Sequence, residues 1–228
     1  MQSRIAASMM CADAGNLSAG IRAAAAAGVD LLHFDVMDGR FVPNFGFSPW
    51  MIKALKGVAD INILFEAHLM IEDPERHVKT FIDTGADIIV IHLEACRNIY
   101  PVLKGIRRAG ARAGVALSPP TSPEPLRYIL PYVDIVTVMT VSPGFAGGEF
   151  LPEMVSKVED VSRMIAASGL DISIEVDGNI NARTIPLLAR AGANVFVGGS
   201  SGLYRKDVEL SQAVREMRAA AERAGDER

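Results

Sequence analysis

The stretch VDLLHFDVMDGRFVPN, residues 29 to 44, carries two polar side chains inside a largely apolar run. The apolar residues predict a buried β-strand over Leu31–Val36. Because successive side chains of a strand point to opposite faces, His33 and Asp35 share one face. A buried imidazole beside a buried carboxylate is costly unless a metal ion or a substrate uses them. The stretch therefore indicates a functional site at the end of a buried strand.

Other short apolar segments, rich in β-branched residues, alternate with helical segments rich in Ala, Leu and Arg. The predicted strands recur about every 27 residues, the length of one strand, one helix and two loops. This alternation predicts a parallel sheet, and eight repeats in one short chain favour an α/β fold closed into a (β/α)8 TIM barrel. The predicted strands are Ile5–Met9, Leu31–Val36, Asn62–Leu69, Ile88–His92, Gly114–Leu117, Ile135–Val141, Ile172–Val176 and Val195–Val197.

Helical patterns fill most of the spaces between these strands. Several of them are followed by a glycine that suits a left-handed helix end, at Gly28, Gly85, Gly110, Gly169 and Gly192. The phrase Ala-Gly-(Val/Ala)-(Asp/Asn) recurs just before a strand at Ala27–Asp30 and Ala191–Asn194, with a close variant at Thr84–Asp87. The predicted helices are Leu17–Ala27, Pro49–Val58, Pro74–Thr84, Ile99–Ala109, Pro152–Ser168, Ala182–Ala191 and Asp207–Ala224.

An open, doubly wound sheet is the alternative to a closed barrel. It would normally carry a glycine-rich phosphate turn after the first strand, and Met9–Asp13 is not such a turn. No internal linker divides the chain. We therefore expect a single barrel over residues 1–228, with a frayed, charged tail at about 221–228.

The composition limits the classes of partner. Half of the 228 residues are hydrophobic and the net charge is −4, so nucleic acid is not an expected partner. No unbroken apolar run reaches the roughly 18 residues of a membrane span, and the start Met1–Arg4 leads directly into a predicted strand, so we expect no signal peptide. Cys11 and Cys96 lack metal-ligand spacing and are too few for a disulfide scaffold. We expect a cytoplasmic protein without a membrane partner.

Polar residues at the strand ends are candidates for the active site, because these barrels place it at the carboxyl ends of their strands. His33, Asp35, His68 and Asp177 would converge there and form a site for a divalent ion. The alternative is a set of core polar groups that satisfy one another. Ser8, His92 and Glu94 also lie at strand ends, and Glu66 and Glu175 lie one pleat deeper, as groups that orient ligands or form buried hydrogen bonds.

Glycine-rich loops follow the last three predicted strands, and their backbone N–H groups could approach a phosphate closely. They comprise Gly144-Phe145-Ala146-Gly147-Gly148, Asp177-Gly178-Asn179 and Gly198-Gly199-Ser200-Ser201-Gly202. Methionines near strand ends usually fill gaps in a core. Met37, Met70 and Met139, like Met10, could instead form an apolar lid over a planar reaction intermediate.

The chain resembles the ribulose-phosphate 3-epimerases and their relatives, the allulose-6-phosphate 3-epimerases, nearly from end to end. The resemblance rests on His33–Asn44, His68–Met70, His92–Glu94, Val138–Gly147 and Glu175–Gly178. It implies metal-dependent inversion at C3 of a small phosphorylated ketose, with an ion held by His33, Asp35, His68 and Asp177. It further implies that Asp35 and Asp177 act as acid and base on opposite faces of the substrate. The substrate contacts that we expect are Ser8, His68, Gly144, Phe145, Ala146, Gly147, Gly178, Asn179, Gly199, Ser200 and Ser201.

Several positions depart from the ribulose-phosphate pattern. Ala7 precedes Ser8 where a proline is usual, Asn179 stands in place of a second glycine, and Gly148 stands in place of a glutamine. In motif detail the chain is more similar to the allulose-6-phosphate branch. Both D-allulose 6-phosphate and D-ribulose 5-phosphate are therefore candidate substrates, with ribulose 5-phosphate as the sole physiological substrate in the alternative.

The expected chemistry agrees with the residue types. Removing a proton beside a carbonyl gives an enediolate whose charge a Lewis acid stabilises, and inversion needs a proton donor on the opposite face. The ion could be Zn, Mn, Co, Fe or Mg, since nitrogen and oxygen ligands accept several metals. A lyase or decarboxylase would need a catalytic lysine at a strand end, and none is visible. A non-catalytic sugar-phosphate sensor is the third possibility, and family analogy implies a homo-oligomer.

Overall fold

Eight parallel strands close into a barrel in the computed structural model, which describes residues 3–58 and 61–225. Each strand pairs with the next one along the chain, and β1 pairs with β8 to complete the ring. The predicted (β/α)8 TIM barrel is confirmed. The strands are β1 (Arg4–Ser8), β2 (Leu31–Met37), β3 (Leu64–Met70), β4 (Ile88–His92), β5 (Arg112–Leu117), β6 (Ile135–Met139), β7 (Ser173–Asp177) and β8 (Val195–Gly198).

Helices pack around the outside of the barrel, and all five glycines predicted at helix ends have positive φ angles. None of the helices in the described residues is long and apolar enough to cross a bilayer. The helices are α1 (Leu17–Ala27), α2 (Pro49–Val58), α3 (Val78–Ile82), α4 (Ile99–Arg108), α5 (Met154–Ser168), α6 (Ile185–Ala191) and α7 (Leu210–Gly225).

The structure departs from the prediction at the starts of α3, α6 and α7, the last beginning at Leu210 rather than Asp207, and no helix was predicted for the connection from β5 to β6. The first turn expected for α3 is a separate 3-10 turn at Pro74–Arg76, and α6 begins only at Ile185. The connection from β5 to β6 consists of the 3-10 segments Glu124–Tyr128 and Leu130–Tyr132. Prolines recur along this connection, and each removes a backbone N–H that an α-helix would use.

The tail predicted to fray from about residue 221 is instead helical up to Gly225. Ala221 and Ala224 are buried in α7, because their i, i+3 spacing places both on the face of α7 that packs on the barrel. The helix predicted over Asp207–Ala224 therefore describes these residues better than the frayed tail does, and the charged side chains of Glu222 and Arg223 occupy the exposed face of α7. Residues 226–228 lie outside the described part of the chain.

The interior of the barrel contains an apolar cluster, and buried polar side chains occupy inward positions towards the carboxyl ends of β2, β3 and β4. Leu31 belongs to the interior apolar cluster, and alternation along β2 then directs His33, Asp35 and Met37 to the same side in ascending order. A second and larger apolar layer fills the space between strands and helices. The interior cluster consists of Ala6, Leu31, Ile88, Val90, Ala116, Ile135, Val195 and Val197.

A repeated pair of hydrogen bonds ties the strands together at the amino-terminal end. Asp87 accepts the backbone N–H of Phe65 at its side chain and donates its own N–H to the Phe65 carbonyl, at 2.7 and 2.9 Å. The same two bonds join Asp30 to Ile5, Asp134 to Ala113 and Asn194 to Ile174. Asp30, Asp87 and Asn194 belong to the recurring sequence phrase, and with Asp134 they link each odd-numbered strand to the loop before the next strand.

Candidate active site

A pocket opens at the carboxyl ends of the strands. Asp35 of β2 and Asp177 of β7 reach it from strands separated by β1 and β8. Most of the predicted substrate contacts line it, whereas His68 is fully buried beneath it. The predicted residues that line it are Ser8, Met10, Asp35, Met37, Met70, Met139, Gly144, Phe145, Ala146, Gly147, Gly148, Asp177, Gly178, Asn179, Gly199, Ser200 and Ser201.

The predicted metal ligands converge at the floor of this pocket. One donor atom from each of His33, Asp35, His68 and Asp177 lies within 4.8 Å of all the others. Nε2 of His33 is 3.2 Å from Nδ1 of His68, and the four nitrogen–carboxylate separations run from 3.3 to 3.7 Å. Ligands held about 2.1 Å from one ion lie roughly 3–4 Å apart, so the spacing fits a divalent ion. Two imidazoles and two carboxylates also suit such an ion chemically.

His33 is oriented by a carboxylate on the neighbouring strand. Its Nδ1 donates to Oε1 of Glu66 at 2.6 Å, which leaves Nε2 directed at the cluster. Burial disfavours a charged imidazole, but attraction to Asp35 and Glu66 outweighs it and raises the pKa of His33 well above its ordinary value. Glu66 thus orients the His33 ring from one pleat below His68, the depth at which the sequence placed it.

His68 differs from His33 in the environment of its ring. Its Nδ1 faces Asp35 and Asp177, while its Nε2 lies 2.9 Å from Nε2 of His92. Burial, together with the neighbouring imidazoles, lowers the pKa of His68. The neutral ring is the form that can offer a lone pair to a metal.

The two aspartates have opposite electrostatic environments. Burial raises the pKa of Asp35, but attraction and hydrogen bonding from His33 and His68 outweigh burial and leave that pKa lowered. The hydroxyl of Ser8 also donates to Oδ2 of Asp35 at 3.0 Å. Burial raises the pKa of Asp177, and repulsion from Asp35 adds to it. Two carboxyl groups whose pKa values are moved apart suit the roles of base and acid.

Glu175 lies below the cluster and has one fully buried oxygen without a hydrogen-bond partner in the described structure, as does Glu66. The hydroxyl of Thr137 donates to the other carboxyl oxygen of Glu175 at 2.9 Å. Burial and the charge of Glu66 raise the pKa of Glu175 well above its ordinary value. The carboxyl groups of Glu66 and Glu175 form a second polar layer directly below the pocket floor.

The glycine loops approach one another around the pocket. Asn44, from the loop after β2, donates its amide to the Gly144 carbonyl at 2.8 Å. Gly178 has a φ of +120°, and a Cβ there would lie 2.6 Å from a methyl of Val141, so no other residue fits without movement. The hydroxyl of Thr140 donates to the carbonyl oxygen of Asp177 at 3.1 Å and further secures this turn.

A model of the ribulose-phosphate 3 epimerase family matches residues 4–203. The chain belongs to the ribulose-phosphate 3-epimerase family. It is therefore an isomerase, of the class that epimerises carbohydrates.

Named relatives in the ribulose-phosphate 3-epimerase family cover almost the whole chain. A ribulose-phosphate 3-epimerase of Bacillus subtilis is 38% identical over 218 residues, which is 95% of this chain and 99% of that protein. One from Mycobacterium tuberculosis is 42% identical over 217 residues, 95% of this chain and 93% of that protein. Among solved structures, a 3-keto-L-gulonate-6-phosphate decarboxylase from Vibrio cholerae superposes with a TM-score of 0.72 over 98% of this chain and 99% of that one. It shares 13% sequence identity, so this likeness concerns the fold alone.

Two of the departures from the ribulose-phosphate 3-epimerase pattern contact each other. The side-chain amide of Asn179 donates to the Gly148 carbonyl at 3.0 Å, which joins the loops after β6 and β7. Asn179 has a φ of +54°, a left-handed conformation that asparagine tolerates better than most residues. Asn179 therefore adopts a left-handed conformation of the kind that glycine adopts readily.

Some residues that line the pocket were not among the predicted contacts. Cys11, Val141, Pro143 and Val197 reach it from the ends of β1, β6 and β8. Val197 lies two residues after Val195 on β8, so strand alternation alone could have placed its side chain inside the barrel. Cys11 is brought there by the 3-10 turn after β1, which no sequence pattern indicated.

Proposed function

We propose that this chain catalyses metal-dependent epimerisation at C3 of a phosphorylated ketose by a two-base mechanism. Its named relatives support the pair D-ribulose 5-phosphate and D-xylulose 5-phosphate as the substrates. D-Allulose 6-phosphate and D-fructose 6-phosphate are the six-carbon alternative. The observation that carries the proposal is the convergence of Asp35 and Asp177, from separate strands, on one four-donor cluster in the pocket floor.

His33, Asp35, His68 and Asp177 would hold the divalent ion. When bound, such an ion supplies a Lewis acid that stabilises negative charge developing on the substrate oxygens. Glu66 keeps Nε2 of His33 free to face the ion by accepting the proton on Nδ1. The metal identity is left open by this donor set, which accepts several divalent ions.

The two aspartates would exchange protons with C3 from opposite faces. One carboxylate removes the C3 proton, and the electron pair of the broken C–H bond enters the enediolate. The other carboxyl group then delivers its proton to the opposite face of C3, which inverts the centre. The direction of the reaction decides which of the two aspartates removes the C3 proton. Ser8 holds Oδ2 of Asp35 by a hydrogen bond and so restricts the rotation of that carboxylate.

The remaining lining residues would hold the substrate around this centre. Backbone N–H groups of the loops at Gly144–Gly147, Gly178 and Gly199–Ser201 would bind the phosphate. Met37 and Met70 pack with Val42 in one small apolar cluster beside the pocket. With Met139 they would cover the planar enediolate and exclude water from it.

Two competing activities are less consistent with the lining. Within the described residues no lysine lines the pocket, whereas a lyase or decarboxylase of this type would need one. A sugar-phosphate sensor would not need two carboxyl groups with opposed pKa shifts. A cytoplasmic location and a homo-oligomeric state stay predictions.

Deuterium exchange tests the proposal. Purified protein is incubated in D2O with each ketose phosphate and with Mn2+, Co2+, Zn2+ or Mg2+, and deuterium at C3 is followed by NMR. We expect deuterium at C3 together with formation of the epimer, and loss of both after treatment with a chelator. Absence of exchange with either sugar under every metal would refute the epimerase function. The ratio of kcat/KM for the five- and six-carbon sugars decides between the two substrate pairs.

A further inference from the structure

His92, at the end of β4, is a buried imidazole that the proposed mechanism does not use. It is fully buried, and its ring stacks on His68 with a centroid distance of 5.0 Å and an angle of 19°. The centroid of the Phe41 ring lies 4.7 Å from that of His92. The two nitrogens of His92 each have a close polar partner, Nε2 of His68 at 2.9 Å and Oε1 of Glu94 at 2.8 Å. A buried imidazole with a hydrogen-bond partner at each nitrogen has a defined protonation pattern.

The hydrogen bonds determine where the protons lie. A carboxylate only accepts, so the Glu94 contact requires a proton on Nδ1 of His92. Neutral His92 then has a lone pair on Nε2, and the 2.9 Å contact requires His68 to donate from its own Nε2. Nδ1 of His68 is left without a proton, and it is the atom that faces Asp35 and Asp177.

Glu94 is held as an acceptor by its surroundings. The backbone N–H of Ser118 donates to the same Oε1 at 3.1 Å. Burial raises the pKa of Glu94, but a hydrogen bond from His92, attraction to that ring and a hydrogen bond from Ser118 outweigh burial and lower the pKa to about 2. Lys157 of α5 donates to the Ser118 carbonyl at 3.0 Å, and its positive charge favours the ionised carboxylate. Glu94 is thus charged at neutral pH and cannot donate to His92.

We propose that Glu94 and His92 are positioning residues that hold His68 in the tautomer with an unprotonated Nδ1, and so set the affinity of the cluster for its ion. The inference rests on the proposed function, in that the cluster is taken to bind a divalent metal. The two histidine ligands are then oriented differently, His33 by a single carboxylate and His68 through an intervening imidazole. The opposite tautomer of His68 would direct a proton into the metal position.

The tautomer is tested without any metal. In metal-free protein with 15N-labelled histidine, the imidazole 15N shifts of His68 should show a protonated Nε2 and an unprotonated Nδ1. Replacing His92 by phenylalanine keeps a ring in the stack and removes the acceptor. In His92→Phe we expect the His68 signals to shift towards a mixture of tautomers. A protonated Nδ1 on His68 in the unmodified protein would overturn the proposal.

Metal affinity is tested with Co2+ alone, by competition against a chromophoric chelator. His92→Phe and Glu94→Leu should weaken Co2+ binding by about 10- to 100-fold, and Glu94→Gln, which keeps an acceptor oxygen, should lie between Glu94→Leu and the unmodified protein. Ile89→Val, a buried change elsewhere on β4, is the matched control and should leave the affinity unchanged. If His92→Phe does not fold, the comparison of Glu94→Leu with Glu94→Gln decides.

Failure of the proposed function and failure of the positioning role give different results. Unmodified protein that binds no Co2+ would refute the metal-dependent function. Unmodified protein that binds Co2+ and epimerises, alongside folded His92→Phe and Glu94→Leu with unchanged affinity, would overturn only the positioning role.

Discussion

Nδ1 of His33 lies 2.6 Å from Oε1 of Glu66, and the two residues are directly paired across β2 and β3. The carboxylate therefore receives the Nδ1 proton and directs the other ring nitrogen to the cluster. This relationship joins a buried acid to a proposed metal ligand through the register of two neighbouring strands.

Glu66→Leu should weaken divalent metal binding by about 10- to 100-fold, because it removes the acceptor that orients His33. Glu66→Gln keeps an oxygen acceptor, so we expect a smaller loss. Competition against a chelator measures both. Glu72→Gln, a change at an exposed carboxylate, is the control and should have no effect. Equal affinity of Glu66→Leu and the unmodified protein would contradict the orienting role.

Asp35→Asn and Asp177→Asn should each lower the epimerisation rate by at least about 10²- to 10⁴-fold, the usual contribution of one proton-transfer group. Each variant removes the base from one face only. Coupled assays in both directions measure the loss. Asp83→Asn, at an exposed helical aspartate, should keep the full rate. Near-normal turnover by either active-site variant would exclude the two-base assignment.

Gly178→Ala should raise KM more than it lowers kcat. The added Cβ would lie 2.6 Å from Val141 at a φ of +120°, so the loop after β7 has to move away from the phosphate position. Steady-state kinetics and inhibition by inorganic phosphate measure the change. Gly147→Ala is the matched control: φ is +84° there, but no atom lies within 4 Å of the added carbon. A larger KM effect at Gly147 than at Gly178 would argue against the steric explanation.

Asp87→Ala should destabilise the barrel by about 1–3 kcal/mol, because the buried N–H of Phe65 loses its acceptor. Asp87→Asn should cost less, since Asn194 makes the same pair of bonds with an amide oxygen. Urea unfolding measures both free energies. If the two substitutions destabilise equally, the ion pair of Asp87 with Lys56, rather than the hydrogen bond to Phe65, is the main contribution.

Glu94→Gln should change the pH dependence of the free energy of unfolding. The pKa of Glu94 is lowered from 4.5 to about 2 in the folded protein, so the unfolded chain binds the proton more readily. The stabilisation from Glu94 is therefore fully present above pH 4.5 and is lost as the pH falls towards 2. Allowing for partial exposure, it amounts to about 1–2 kcal/mol. Unfolding free energies at several pH values should show the two proteins converging in acid, and parallel curves would contradict this.

The eight strands and most helices were predictable because their signals are local. An apolar run with β-branched residues and a glycine after a helix depend on neighbours a few residues away. The β5–β6 connection and the burial of the last turn of α7 were less predictable. Prolines exclude an α-helix at Glu124–Tyr132 without specifying 3-10 turns, and the burial of Ala221 depends on the barrel surface beneath it.

The sequence by itself determined which side chains share the inner face of each strand, because that face alternates with a fixed period of two. This period alone groups His33 with Asp35, and Glu66 with His68. Only the tertiary structure decided which nitrogen of each imidazole faces the cluster. That choice depends on hydrogen bonds from His33 to Glu66, from His68 to His92 and from His92 to Glu94, and the first two of these join different strands. Strand register and ring rotation bring these partners together, and neither is visible in one segment alone.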